Sequence, residues 1–299
     1  MAKESWLTSF PDMDRSDIIT LRKTLDGAYR DFSREYGDLI ESFFDPLLSF
    51  LIWFENLLLS SPWWLVLAAI AGFTYAAGRS WKLCLGVVCS MLAIGYFGMW
   101  ENTMRTLSVI TVCTLLSIAL GVPIGIAMAR SDRVQKIVTP MLDIMQTMPA
   151  FVYLIPVVML LGIGKIPGVI AVVIYAIPPV IRLTNLGIRL VDEEVLEAAT
   201  AYGASPTQRL LGVQLPLAMP NIMAGINQTI MMALAMVVIA SMIGVKGLGQ
   251  PVLKSITNQY FTLGLLNGLA IVALAIIFDR VSQAYARRTQ RHLGGAGHV

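Results

Sequence analysis

Charge is scarce in this sequence. Only 14% of its 299 residues are Asp, Glu, Lys or Arg, against 56% hydrophobic residues, and the mean hydropathy is +0.70. A soluble domain carries about a quarter charged residues, so a water-soluble body is excluded and an all-α polytopic membrane protein is expected. Histidine is nearly absent: His292 and His298 both lie in the last eight residues, which rules out a His-based catalytic triad or an H-E-x-x-H metal site. Three cysteines, Cys84, Cys89 and Cys113, sit in apolar runs without C-x-x-C spacing, so neither a disulfide scaffold nor a thiolate metal site is built from them. They read as packing residues.

Other absences concern energy coupling. No G-x-x-x-x-G-K-[ST] phosphate cradle occurs, since Gly162-Ile-Gly164-Lys165 lacks both the preceding glycine spacing and the following hydroxyl. The chain is therefore expected to bind no ATP, and no other cofactor or metal of its own. No Asp or Glu falls in the middle of an apolar run; Glu101, Asp143 and Asp279 stand at run ends. That argues against an ion-coupled secondary transporter, which needs intramembrane carboxylates. The basic residues lie between apolar runs rather than on one clustered face, so nucleic-acid binding is not expected. No A-x-A-like site follows a short basic segment at Met1, so no cleaved leader is expected.

What is present is a series of apolar runs. With roughly 20 apolar residues needed to cross a bilayer, seven crossings are expected, at about 62–78, 83–99, 106–129, 148–164, 166–181, 216–243 and 261–278. The connections on one side hold Arg79, Lys82, Arg130, Arg133, Lys136, Arg182, Arg189, Arg209, Arg280, Arg287, Arg288 and Arg291, whereas the other side holds only Arg105, Lys165, Lys246 and Lys254. The positive-inside rule makes the first side cytoplasmic, with the C-terminus inside and the N-terminus outside.

Three regions follow. Residues 1–61 form an acidic tail with 6 basic and 11 acidic residues. Within it Leu39, Ile40, Phe43, Phe44, Leu47, Leu51, Phe54 and Leu58 recur at helical spacing opposite Asp38, Ser42, Asp45 and Ser49, which predicts an amphipathic helix over about 36–59. It either lies in the membrane interface, as Trp53, Trp63 and Trp64 favour, or packs on a partner subunit. Residues 62–281 form the transmembrane domain, and 282–299 a basic cytoplasmic tail.

The longest cytoplasmic connection, 191–216, is the most informative segment. Asp192 is placed to cap a helix whose first turn carries Glu193 and Glu194, where the helix dipole favours anions. That helix is expected to stop at Gly203. Ser205-Pro206-Thr207-Gln208 then starts a second helix through a capping box with proline at its first position. Glu197-Ala198-Ala199, three residues, Gly203, nine residues and Val213-x-Leu215-Pro216 resemble the EAA motif of permease subunits in binding-protein-dependent ABC importers. Segments 145–156, 178–189 and 214–230 narrow the resemblance to the glycine betaine and proline betaine importer permeases.

The resemblance implies the type I ABC importer permease (MetI-like) fold and a homodimer working by alternating access in a bacterial inner membrane. It further implies separate ABC ATPase subunits, which would use ATP and Mg, and a soluble substrate-binding protein. Glu197, Ala198, Ala199, Gly203, Val213, Leu215 and Pro216 would then couple to the ATPase, and choline, carnitine or histidine are alternative cargoes within the same branch. One feature departs from the pattern: Lys246 stands in the external glycine-rich turn Gly244–Gly249, where a small residue is usual.

Inside the membrane several readings stay open. Asn227, Gln228 and Thr229, near the middle of the sixth crossing, either line the translocation path or act as interhelical hydrogen-bond glue. Pro156, Pro178, Pro179 and Pro220 either break helices around a cavity or shape packing. Trp100, Tyr153 and Tyr175 invite a cation–π site for a quaternary ammonium. Met231, Met232, Met236 and Met242 read as adaptable packing, and Arg287, Arg288 and Arg291 as headgroup contacts.

Overall fold

A computed structural model describes residues 12–294, with no side-chain description for Asp38 and for 289–294; His298 lies outside the described residues and the side chains of Arg291 and His292 are not described. Among the described residues all regular structure is helical. The helices are α1 (Arg15–Ser60), α2 (Trp63–Gly78), α3 (Trp81–Tyr96), α4 (Trp100–Arg130), α5 (Asp132–Thr147), α6 (Ala150–Leu161), α7 (Lys165–Ala176), α8 (Pro178–Arg189), α9 (Glu193–Ala201), α10 (Pro206–Arg209), α11 (Leu215–Ala240), α12 (Gly249–Asn258) and α13 (Phe261–Gly294).

The expected count of seven crossings is not matched one for one. Five helical segments are long and apolar enough to span a bilayer, at 39–60, 100–130, 165–189, 206–243 and 261–288, and a bent pair, α5 with α6, makes six. The expected crossings at 62–78 and 83–99 are helices of 16 residues each, about 24 Å long at 1.5 Å per residue and short of a hydrocarbon core of about 30 Å. They nevertheless pair with each other and run along α13.

The expected crossing at 148–164 holds only the 12-residue α6, which reaches span length only together with α5. Met148 is extended (φ −69°, ψ 132°) because it precedes Pro149, and α5 and α6 meet there at 101°. The fifth crossing does not stop near Ile181. Pro178 and Pro179 fall in the first turn of α8, where the missing N–H groups cost nothing, and the segment runs on to Arg189. The N-terminal helix is also longer than expected, starting at Arg15 behind an Asp14 cap instead of near residue 36. Leu51 is buried, with Leu47, Phe54 and Leu58 packed against the same core, while Leu39 and Phe43 remain exposed.

The centre of the fold is a wedge of α8 between α4 and α11, with α8 and α11 the most heavily packed pair. Glycines permit the approach. A Cβ on Gly125 of α4 would lie 2.6 Å from Thr184 Cβ and 2.7 Å from the Ile181 carbonyl, and one on Gly225 of α11 only 3.0 Å from Val180 Cα. Val180 and Thr184 are fully buried there.

Candidate functional site

The connection after α8 has the local structure its residues dictate. The Asp192 carboxylate accepts the Glu194 N–H at 2.9 Å and starts α9. Gly203 ends it at φ +81°, in the left-handed region where a side chain is unfavourable. The Gln208 N–H then donates to Ser205 Oγ at 3.4 Å, and the Ser205 N–H to Gln208 Oε1 at 2.8 Å, which closes the capping box that opens α10. A π-helical turn, Leu210–Gln214, leads into α11.

This segment is held at its base and bare at its tip. Its base is Leu210, buried with Ile188, Ala218 and Ile222 between α8 and α11. On the other side Arg189 donates to the Met128 carbonyl at 2.9 Å and to Asp132 at 2.6 Å, tying the end of α8 to the end of α4 and the start of α5. The Arg209 guanidinium reaches Thr200 Oγ1 at 3.3 Å, so the two short helices brace each other. By contrast α9 buries no residue, and Glu197, Ala198 and Gly203 are exposed. Ala199 is half-buried, as are Val213, Leu215 and Pro216 at the root of α11. Tyr202 is 93% exposed beside Gly203, an aromatic that sequence reasoning passed over. The element is a lever that stands out from a buried base, with most of its small-residue face exposed.

The polar run in α11 splits three ways, since consecutive helical residues are about 100° apart. Asn227 faces α13, where its Nδ2 donates to Asp279 Oδ1 at 3.0 Å and its Oδ1 accepts from Ser282 Oγ at 2.5 Å; Gln283 adds a bond to Asp279 at 2.7 Å. Thr229 is fully buried and Gln228 is exposed. Asn227 and Gln228 border an open cavity of about 520 Å³ together with Ser282 and Arg287. Asp279, Ser282 and Gln283 were not singled out from the sequence as partners of Asn227, although their i, i+3 and i+4 spacing puts them on one helix face.

The three aromatics are not gathered. Tyr153 and Tyr175 meet edge to face at 5.9 Å, and the Tyr153 hydroxyl is engaged by the Met145 carbonyl. Trp100 lines a separate apolar cavity with Trp63. No aromatic cage for a cation forms from this trio.

The opposite end of the bundle carries the few basic residues of the other set. Glu55 of α1, 6% exposed, pairs with Lys165 at the start of α7 and with Arg105 of α4, which also bonds Glu101. The glycine-rich turn after α11 docks there, with the Leu248 N–H donating to Thr106 Oγ1 at 2.9 Å. Lys246 is exposed at its tip.

A bent-helix bundle with a capped, exposed two-helix lever after its most buried span is a distinctive arrangement, and comparison with known proteins identifies it. Residues 121–291 match the family described as binding-protein-dependent transport system inner membrane component. The chain belongs to that family. It is 51% identical over 236 residues to the glycine betaine/proline betaine transport system permease protein ProW of Escherichia coli (strain K12), covering 78% of this chain and 66% of that protein. It is 46% identical over 231 residues to the glycine betaine/carnitine transport permease protein GbuB of Listeria monocytogenes serotype 1/2a (strain 10403S), covering 77% and 82%. The chain thus spans just under two thirds of the length of the ProW relative. The fold matches that of the MetNI methionine ABC transporter in an inward-facing conformation (TM-score 0.57, 20% identity, covering 62% of this chain and 93% of that one). The type I importer permease fold expected from the sequence is therefore the fold observed.

Proposed function

We propose that this chain is the membrane-spanning permease subunit of an ATP-driven importer of osmoprotectants: glycine betaine, proline betaine, choline or a related quaternary amine. The observation that carries the reading is the Glu197-Ala198-Ala199/Gly203 lever, exposed at Glu197, Ala198 and Gly203 on a buried base, in a chain 51% identical over 236 residues to a ProW permease. A second copy of the chain, two separate ABC ATPases that use ATP and Mg, and a soluble substrate-binding protein complete the importer. The chain itself catalyses no reaction and binds no cofactor.

The lever and Arg130, Arg133 and Arg189 share the cytoplasmic end, with the Glu55–Lys165 end outside and the basic C-terminal tail inside. Closure of the ATPase dimer pushes on Glu197 and the small residues around it. Because Leu210, Val213, Leu215 and Pro216 link the lever directly to α11, and Arg189 links it to α4 and α8, the push reorients whole helices. Of the run Asn227, Gln228 and Thr229 on the helix so moved, the exposed Gln228 is the candidate path residue, since Asn227 is tied to α13 and Thr229 is buried.

The test is uptake of labelled glycine betaine, choline, proline and histidine in cells lacking the gene. These are complemented with the intact chain or with Gly203→Asp, with and without added salt. Quaternary amine uptake restored by the intact chain and abolished by a membrane-inserted Gly203→Asp variant supports the reading. Restoration of histidine or proline alone replaces the cargo. Full uptake by Gly203→Asp, or uptake that needs no ATPase, overturns the coupling role.

A further inference from the structure

At the end of the bundle that carries the lever, the turn between α2 and α3 meets the last turns of α13 around a cavity of about 470 Å³. Its lining combines three arginines, Arg79, Arg287 and Arg288, with Ser80, Leu83 and Ala284. The walls are fixed. A Cβ on Gly78 would sit 3.0 Å from Ala284 Cβ, so α2 is pressed on α13, and Arg288 donates an N–H to the Ala76 carbonyl at the end of α2. Ser80 Oγ caps α3 by accepting the Leu83 N–H at 3.4 Å, and Arg79 holds the left-handed conformation (φ 44°) that a non-glycine residue rarely adopts.

This positive charge is uncompensated. The sequence has no Asp or Glu from 56 to 100 and none after Asp279, and Asp279 is bonded to Asn227 and Gln283. Among the described residues Arg79, Arg287 and Arg288 form no ion pair with a carboxylate. Guanidinium groups gathered without a carboxylate match the oxygens of a phosphate monoanion. The depth suits a headgroup as well: α13 runs antiparallel to α11, and Arg288 lies six residues, about 9 Å, beyond the Ser282–Asn227 contact toward the lever end. Leu83 and Ala284 make one wall apolar, and Trp81 and Leu85 on α3 are exposed nearby (72% and 53%), a surface for acyl chains.

We propose that this cavity binds the phosphate of an anionic phospholipid, held by Arg79, Arg287 and Arg288, and so welds the short α2–α3 hairpin to α13. Two 16-residue helices, too short to span alone, are completed at this end by the lipid. A free phosphate has the same headgroup chemistry without the apolar tail, and the experiment separates the two.

The purified full chain, with any subunits that accompany it, is unfolded thermally in neutral detergent. Dioleoyl phosphatidylglycerol, dioleoyl phosphatidylcholine or inorganic phosphate is titrated in. Phosphatidylglycerol is expected to raise the unfolding temperature saturably, with phosphatidylcholine and inorganic phosphate without effect. Ser80→Asp keeps the α3 cap, since Asp caps as well as Ser, but sets a carboxylate in the cavity. It is expected to unfold at or above the parent temperature without lipid, because its carboxylate pairs with the arginines, and to require at least fivefold more phosphatidylglycerol. Arg79→Gln/Arg287→Gln is expected to lose roughly fivefold per arginine, while the charge-matched Arg130→Gln/Arg133→Gln retains the parent response. An unchanged phosphatidylglycerol response in Ser80→Asp overturns the proposal even if the double variant fails to fold. Equal responses to phosphatidylcholine, or to inorganic phosphate, overturn it too, the latter making the cavity a free-anion site.

Discussion

The Glu55 carboxylate lies 2.6 Å from the Lys165 ammonium and 3.8 Å from the Arg105 guanidinium, so one buried acid fastens α1 to both α7 and α4. Glu55 is 8% exposed in its side chain and its partners about a quarter exposed. Removing one partner of a buried pair typically costs about 3–5 kcal/mol because the remaining charges are stranded; the partial exposure of Lys165 and Arg105 brings this to about 2 kcal/mol. Glu55→Gln is therefore expected to lower the thermal unfolding temperature by several degrees. Lys165→Met in the same background is expected to recover part of the loss, and strictly additive losses in that double-mutant cycle would show that the contact contributes nothing.

The α8 wedge yields a second prediction. A methyl group on Gly225 would lie 3.0 Å from Val180 Cα and 3.2 Å from the Pro179 carbonyl, both backbone atoms. Overpacking of this kind typically costs about 1–3 kcal/mol. Gly225→Ala is expected to destabilise within that range and Gly225→Val beyond it, whereas Gly212→Ala, which meets nothing within 4 Å, is expected to leave the unfolding temperature unchanged. Equal effects at the two positions would mean that α8 and α11 do not pack as closely as described.

These tight contacts were the part least legible from sequence. Capping chemistry is local, so Asp192, Gly203 and the Ser205–Gln208 box announced α9 and α10. Long apolar runs likewise announced α4, α11 and most of α13. Periodicity fails where a helix is polar or where two helices share a run. The early turns of α1 carry alternating charge, and the only signal for their start was Asp14 with Asp17 three residues on. The amphipathic α5 has a Ser131 cap that reads equally as loop chemistry, and the 101° bend at Pro149 cannot be told from a straight span by hydropathy. The Asn227–Asp279 pairing joins residues 52 apart, a tertiary contact that no local pattern encodes.

Gly203 separates conformation from contact. At φ +81° with open space where a Cβ would point, the cost of a side chain is backbone strain, about 1–2 kcal/mol for Ala and lower for Asn, which tolerates this region. If geometry alone matters, substrate uptake falls in the order Gly, Asn, Ala, Val while the protein remains in the membrane. If a partner surface closes directly over the glycine, Asn is expected to be as damaging as Val. Uptake divided by ATP hydrolysis in vesicles containing the complete transporter distinguishes the two, and the docking reading requires the second pattern.

The neighbouring residues Asn227 and Gln228 offer the last separation, between a helix staple and a path residue. Asn227 satisfies Asp279 and Ser282 across α11 and α13, so Asn227→Ala leaves a partly buried carboxylate short of a donor, at a cost of about 1–3 kcal/mol. The expected result is a lower unfolding temperature with an unchanged KM for substrate. Gln228 is exposed and has no such partner among the described residues, so Gln228→Ala is expected to leave stability alone; if it lines the path, KM or the maximal uptake rate changes at least severalfold. Asn227→Asp sharpens the test, because it places a second carboxylate 3.0 Å from Asp279 Oδ1 and like charges at that distance repel. A staple predicts that Asn227→Asp unfolds at a lower temperature than Asn227→Ala, with KM unchanged. A path residue predicts in addition a severalfold change in KM or in the maximal uptake rate.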